Sequence, residues 1–431
     1  MELKGKIVEI LHKEVVPAMG CTEPVAVALA CAKSKELLVF NTVEYVEIWV
    51  SANVYKNGLS VGVPYTGESG LPIAGALGIV AGKSNKDLSV LEGICEEELE
   101  LAKKLLASKK LSIRIKDTDE KIYVEVNFVT DGGSAKTIIQ GKHNQFTYLE
   151  RNGEILLDLQ DIDQEKKEDV ETIYNLKIRE IIEVIENIPF EKIRFMLDGL
   201  KMNEKIAKVG LDHHKGMGVG VAIYESIKQG ILADDLMNNA MMLTAAGSDA
   251  RMSGETMLVM SSNGSGNNGL TAILPIVAYK NKFYVEEERL AKALAISHMI
   301  NSYIKYYIGR LSALCGCGVA AATGASVALT WLMQGNKDQI DGAIKNMAAN
   351  ISGMICDGAK VGCALKLSTA ASTAVQSALL AINNKIVPSK NGIVAETAEE
   401  TIKNLGTLSV EGMAITDHVI LQVMGNMQSV S

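Results

Sequence analysis

Hydrophobic spacing divides the chain into two differently patterned halves. The opening segment MELKGKIVEILHKEVV places Leu3, Ile7, Ile10, Leu11 and Val15 on one face at helical spacing, which predicts an amphipathic helix. After a further helical run to about residue 38 the period changes to two. VEYVEIWVSANV, KKLSIRIKD, KIYVEVNFVT, SAKTIIQGK and FTYLERNGEI alternate apolar and polar residues with turn formers between them. Half-covered strands show this pattern, and together these segments predict an antiparallel sheet. Between the first strand and the others, PYTGESGLPIAGALGIVAGKS reads as a Gly/Pro loop entering a small-residue helix. LEGICEEELELAKKLLASKK reads as a charged helix with carboxylates ahead of lysines.

Residues 152–170 are polar and acidic without a strong pattern and read as a connection. VETIYNLKIREIIEVIENI then reads as helix. From about residue 190 the strand signal fades into Ala-, Gly-, Ser- and Met-rich helical segments separated by glycine loops. The expectation is an α+β fold: a mixed α/β domain over 1–190 with the antiparallel sheet, and an all-helical domain over 191–431. No repeat of solenoid period is visible.

Composition sharpens this picture. A chain of 431 residues exceeds one ordinary core. Aromatic residues are only 5% against 48% hydrophobic, with 38 glycines, so the helices should pack closely through small side chains. A net charge of −8 lacks the basic surface that displaces counterions from phosphates. Nucleic acid is therefore excluded as a partner, and a small metabolite is expected. The N-terminus does not show the basic-then-apolar order of a signal peptide. The most apolar window, GVAAATGASVALTWLM at 318–333, is interrupted by Thr, Ser and Gly without basic flanks, so it reads as a buried core helix and not a membrane span. A cytoplasmic location follows, with homo-oligomerisation left open. Seven cysteines, an odd number, suit free thiols and metal binding better than a disulfide framework.

Four stretches set polar residues and glycine among apolar surroundings: SANVYKNGLSVGVPYTG (51–67), GSDARMSGETMLVMSSNGSGNNG (247–269), LSALCGCG (311–318) and SGMICDGAKVGC (352–363). Polar loops of this kind face enclosed pockets. Cys31 and Cys95 lie in helical patterns without polar company and read as packed core thiols. Cys21, Cys315 and Cys356 stand on three glycine-adjacent turns, and three thiolates would leave one coordination position open for substrate; Cys317 and Cys363 are the alternatives. Lys56, with Asn53 and Asn57 beside it, follows a strand, and a buried amine there could serve as a base. Glu23 either orients the thiol region or supplies a first-turn carboxylate. Ser262, Asn263, Ser265 and Asn267 offer hydroxyls, amides and glycine-exposed N–H groups as a cradle for a carboxylate. Asp249 and Arg251 either contact substrate or pair with each other. His213 and His214 read as loop residues, and His298 as a hydrogen-bonded core residue.

GCTEP, S-x-N-x-x-K-N-G at 51–58, SDAR, SxNGSGNxG, RLSALC and SGMICDGA occur in one order along the chain. In this the sequence resembles the L-cysteine desulfidase family, which is related to the alpha chain of iron–sulfur L-serine dehydratases. The resemblance implies a lyase that converts L-cysteine to sulfide, pyruvate and ammonia at a 4Fe-4S cluster, and Cys21, Cys315 and Cys356 match the family's three ligands. The family often reads G-x-H-T-N where this chain reads GKHN at 141–144, so His143, expected at the substrate, is displaced by one residue. L-serine elimination on the same cluster is the nearest alternative. Two others differ in kind: a pyridoxal-phosphate lyase with its phosphate in the NG-rich loop, and a non-catalytic protein whose late thiols bind zinc.

Overall fold

The computed structural model describes residues 2–159, 173–212, 215–309 and 312–428. Its main sheet has six strands: β2 (Val43–Val50), β3 (Leu111–Ile115), β4 (Tyr123–Thr130), β5 (Gly133–Gln140), β6 (Phe146–Arg151) and β7 (Glu154–Asp158), in the order β3-β2-β4-β5-β6-β7. All neighbours are antiparallel except β2 and β3. The sheet is therefore mixed, because the helices Leu71–Val80 and Glu96–Ala107 intervene between β2 and β3 and return the chain in the same direction. β7 occupies the start of the segment expected to be a connection. It forms a hairpin with β6 through Asn152 and Gly153, both at positive φ, the geometry an Asn-Gly turn favours.

Alternation decides which face is covered. Val46, Ile48 and Val50 of β2 and Val124, Val126 and Phe128 of β4 are buried under the helix Thr22–Glu36. That helix is apolar on nearly every side, as a helix pressed between a sheet and a second helical layer must be. Ser34, its one fully buried hydroxyl, bonds Ala30 O and Thr137 Oγ1. The opposite face of the sheet is polar. There Glu125 accepts bonds from Tyr123 (2.6 Å), Lys116 and Lys136.

The remaining helices form a second core. Leu236–Met252 lies at its centre against Cys363–Ile382, Met196–Asp212 and Gly266–Lys282. The first helix, Glu2–Glu14, puts Ile7, Ile10 and Leu11 into this core and not against the sheet, followed by Val15 just beyond its end, and the helix Ile178–Glu186 adds Ile178, Ile181, Ile182 and Ile185. The window at 318–333 is buried, with a π turn at Cys317–Ala321 leading into Ala322–Leu332. Among the described residues one helix, Cys363–Ile382, is long and apolar enough to cross a membrane, and it packs inside this bundle. A short two-stranded ribbon, β1 (Pro17–Met19) with β8 (Leu258–Met260), ties the N-terminal segment to the bundle. Asn203 fixes β8 by donating to Met260 O (3.1 Å) and accepting from Met260 N (2.8 Å).

Candidate functional site

The ribbon delivers Gly20 and Cys21 to the junction between the sheet unit and the bundle. There a cavity of about 100 Å³ opens, and each part of its wall has a local cause. Cys21, Thr22 and Glu23 begin the helix Thr22–Glu36. Asn53, Lys56 and Asn57 come from a short helix, Ala52–Gly58, N-capped by Ser51; the strand pattern expected to run through SANV therefore ends at Val50, because the cap starts a helical turn. Gly264, Ser265, Asn267 and Asn268 form the approach and first turn of Gly266–Lys282. Asn263 and Gly264 both have positive φ between the bridged Ser262 and Ser265, so the NG-rich loop is a tight two-residue turn ending in a Ser N-cap.

The late cysteines are set by a second pairing. Leu314 and Ile355 form an antiparallel bridge, with Cys315 N donating to Met354 O (2.8 Å) and Cys356 N to Ala313 O (2.7 Å). Cys315, Cys317, Cys356 and Cys363 line the cavity together with Cys21. Helix N-termini at Thr22, Gly266 and Cys363 all meet this wall, an arrangement that favours negative charge there.

Electrostatics distinguishes the five thiols. A bond from Cys317 outweighs burial and, with the Gly318 N–H, holds Cys315 down to about 6, while Cys317 is pushed up. Burial raises Cys356 and Cys363. Burial and the neighbouring Glu23 raise Cys21, opposed by Arg251, and its Sγ donates to Glu23 Oε2 at 2.9 Å. Burial alone would raise Glu23, but His143 and the Cys21 thiol outweigh it and hold the carboxyl at about 2. Asn57 also donates to Glu23, at 3.1 Å.

Arg251 and Lys56 are two of the four cationic side chains in the wall, with Lys305 and Lys366. Arg251 is 3% exposed; its Nη2 donates to Gly20 O (2.6 Å) and its Nη1 to Asn267 Oδ1 (3.1 Å), while Nε has no partner. Among the described residues no carboxylate pairs with it. Lys56, 2% exposed, is ion-paired with Asp417 at 2.5 Å. This residue of the helix Ala414–Gln428 drew no attention in the sequence because it is remote in the chain and has no motif around it.

Several expected positions lie elsewhere. Asp249 is outside the cavity wall. Its carboxylate accepts from Met217 N (3.1 Å) and Gly220 N (3.0 Å), fixing the start of the helix Val219–Lys228, so it is a buried loop anchor and not a partner of Arg251. Ser262 and Asn263 turn away into the bundle: Ser262 Oγ meets His298 Nδ1 and Asn301 Nδ2, both at 2.9 Å, and Asn263 donates to Ser302. Burial keeps His298 near 3, a neutral core ring as expected. His143 stands behind Glu23 at 3.8 Å and not in the wall. Cys31 is buried, but Cys95 is exposed, at the N-cap of Glu96–Ala107. His213 and His214, Arg310 and Leu311 of RLSALC, and residues 160–172 lie outside the described residues. Thr22 and Asn268, inside sequence motifs but given no role there, and Lys305 and Lys366, outside any motif, are also wall residues.

Residues 85–422 match the family described as serine dehydratase alpha chain. The chain belongs to that family. Full-length relatives described as UPF0597 protein occur in Alkaliphilus oremlandii (64% identical over 431 residues, all of both chains) and Alkaliphilus metalliredigens (60% over 428 residues, 99% of this chain and 96% of the relative). Another, in Clostridioides difficile, is 54% identical over 426 residues, 98% of this chain and all of the relative. Serine dehydratase-like membership supports an iron–sulfur lyase. The wall fits such a group chemically: five thiols, three helix N-termini and a buried guanidinium lacking an anion suit a sulfur-liganded, negatively charged occupant. Among the described residues no three His, Cys, Asp or Glu side chains converge closely enough to hold one metal ion.

Proposed function

We propose that the chain converts L-cysteine to hydrogen sulfide, pyruvate and ammonia, with a 4Fe-4S cluster held by Cys21, Cys315 and Cys356. The observation that carries this is the meeting of Cys21 with the late cysteines around one cavity whose buried Arg251 has no carboxylate partner among the described residues and an unpartnered Nε. Bound there, such a cluster supplies Lewis-acid chemistry toward the substrate's carboxylate and leaving group.

The chain's own residues do the rest. Lys56 and Arg251 bind the α-carboxylate, drawing charge from it so that the Cα proton becomes acidic enough to leave. Lys56 acts here as a carboxylate anchor, because its amine already engages a carboxylate. Asn53 and Asn267 orient the amino acid, and the first turn of Gly266–Lys282 points its N–H groups at the developing charge. Glu23 accepts from Asn57 and holds that amide in place beside the cavity. The Cα proton and the β-thiolate leave as hydrogen sulfide, giving aminoacrylate, which tautomerises and takes up water to yield pyruvate and ammonia without the protein.

L-serine is the second reading, favoured by the description of the family itself. Anaerobic iron and sulfide analysis of the parent beside Cys21→Ala, Cys315→Ala and Cys356→Ala tests the cluster. Each variant should lose most of its iron, whereas Cys317→Ala and Cys363→Ala should keep it. Sulfide and pyruvate release from L-cysteine and L-serine at equal concentration separates the substrates. A colourless, iron-free preparation with full activity would end the proposal.

A further inference from the structure

The helix Ala414–Gln428 is lightly attached to the body. None of its side chains from Ala414 to Met424 is buried, and Ile415, Val419 and Val423 are 74%, 45% and 53% exposed. It packs against Ala52–Gly58 and the π turn Leu408–Gly412 that precedes it. Apolar burial therefore contributes little to keeping it in place. The firm contact is polar: Asp417 Oδ1 accepts from Lys56 Nζ at 2.5 Å, with the lysine 2% and the aspartate 21% exposed. A weakly packed helix thus places a carboxylate on a cation of the cavity wall.

That carboxylate is the same chemical group as the one an amino acid would bring. One buried ammonium does not hold two carboxylates side by side without their mutual repulsion, so the two compete. We propose that Asp417 is an internal stand-in for the substrate carboxylate, and that Ala414–Gln428 is a strap released from Lys56 when an α-amino acid enters. The proposal rests on the amino-acid reading of the cavity. Its consequence is a reduced apparent affinity: a strap closed nine times in ten weakens binding about tenfold. In exchange, the cavity keeps its cation neutralised when empty. Asp417 is on this account a positioning residue that acts through Lys56.

The test uses the anaerobically prepared full chain and L-alanine, which carries the α-carboxylate but no leaving group at Cβ. Saturating L-alanine should speed hydrogen exchange of amides 414–424 by about tenfold or more. Asp417→Asn, which keeps the shape and removes the charge, should exchange fast there without ligand. It should bind L-alanine about five- to tenfold more tightly, and its KM for L-cysteine should fall by the same factor with kcat within about twofold. Asp417→Glu should restore parental behaviour. If the parent binds L-alanine while exchange at 414–424 stays unchanged, or if Asp417→Asn binds no more tightly, the strap is refuted and the amino-acid reading stands. Absence of L-alanine binding together with absence of turnover of L-cysteine and L-serine refutes that reading, and the strap with it.

Discussion

Replacing Arg251 with Met asks whether the cavity is built for an anion. Met spans a similar gap with an unbranched apolar chain. In the unloaded protein the change removes two hydrogen bonds from a charged donor, to Gly20 O and Asn267 Oδ1, at about 1.5–3 kcal/mol each. It also relieves a buried charge without an anionic partner, whose penalty is several kcal/mol. The two effects oppose, so unfolding stability should move by less than about 2 kcal/mol. With an anionic occupant the balance changes. A cation at contact distance contributes about 3–4 kcal/mol at an effective dielectric near 20, so loading should weaken by about two to three orders of magnitude. The assay is anaerobic reconstitution with iron and sulfide, followed by iron content and visible absorbance, with denaturant melts of both forms. A variant that loses more than about 4 kcal/mol unloaded, yet takes up iron like the parent, would show that Arg251 is a structural clamp and that the cavity's charge was misjudged.

Three further expectations concern the frame around the site. Burial would raise Glu125, but bonds from Tyr123, Lys116 and Lys136 hold it at about 2. Its folded-state value is depressed, so its stabilisation is present above the unfolded value near 4.5 and is lost as pH falls toward 2. After allowing for solvent around the two lysines, the loss should be on the order of 1–2 kcal/mol in urea melts across that window, and Glu125→Gln should lack it. Asn203→Ala orphans both the N–H and the C=O of Met260 and should cost about 2–4 kcal/mol in denaturant midpoint analysis. Unchanged stability would mean that β8 does not depend on this clamp. Gly269→Ala would place a methyl 1.9 Å from Met260 O, a backbone contact that cannot yield as a side chain would. A cost of about 3 kcal/mol or more in the same melts is expected, with poorer iron uptake because the NG-rich turn shifts.

Periodicity located most of the elements, since burial of alternate or every third to fourth residue leaves a direct imprint on composition. The Val46, Ile48, Val50 alternation and the Ile7, Ile10, Leu11 stripe are examples. It did not indicate that β2 and β3 run parallel, because register and direction depend on what the chain does between strands. Nor did it reveal that the Ile7 stripe packs on helices some two hundred residues away. The NG-rich loop was recognisable as a turn at a cavity, yet its side chains divide. Ser265 and Asn267 face the cavity while Ser262 and Asn263 face His298 and Ser302, a choice set by the hairpin's two positive φ angles.

By itself the sequence determined the thiols, glycines and polar loops from which a site could be made, and their order, because residue chemistry and local turn preference are properties of short segments. Only the tertiary structure decided which of them meet. The β1–β8 ribbon brings Cys21 to the bundle, the Leu314–Ile355 bridge sets Cys315 beside Cys356, backbone N–H groups take Asp249 out of the cavity, and Asp417 reaches Lys56 across 361 positions. Such encounters follow from how helices and strands pack in three dimensions, which no local pattern along a chain encodes.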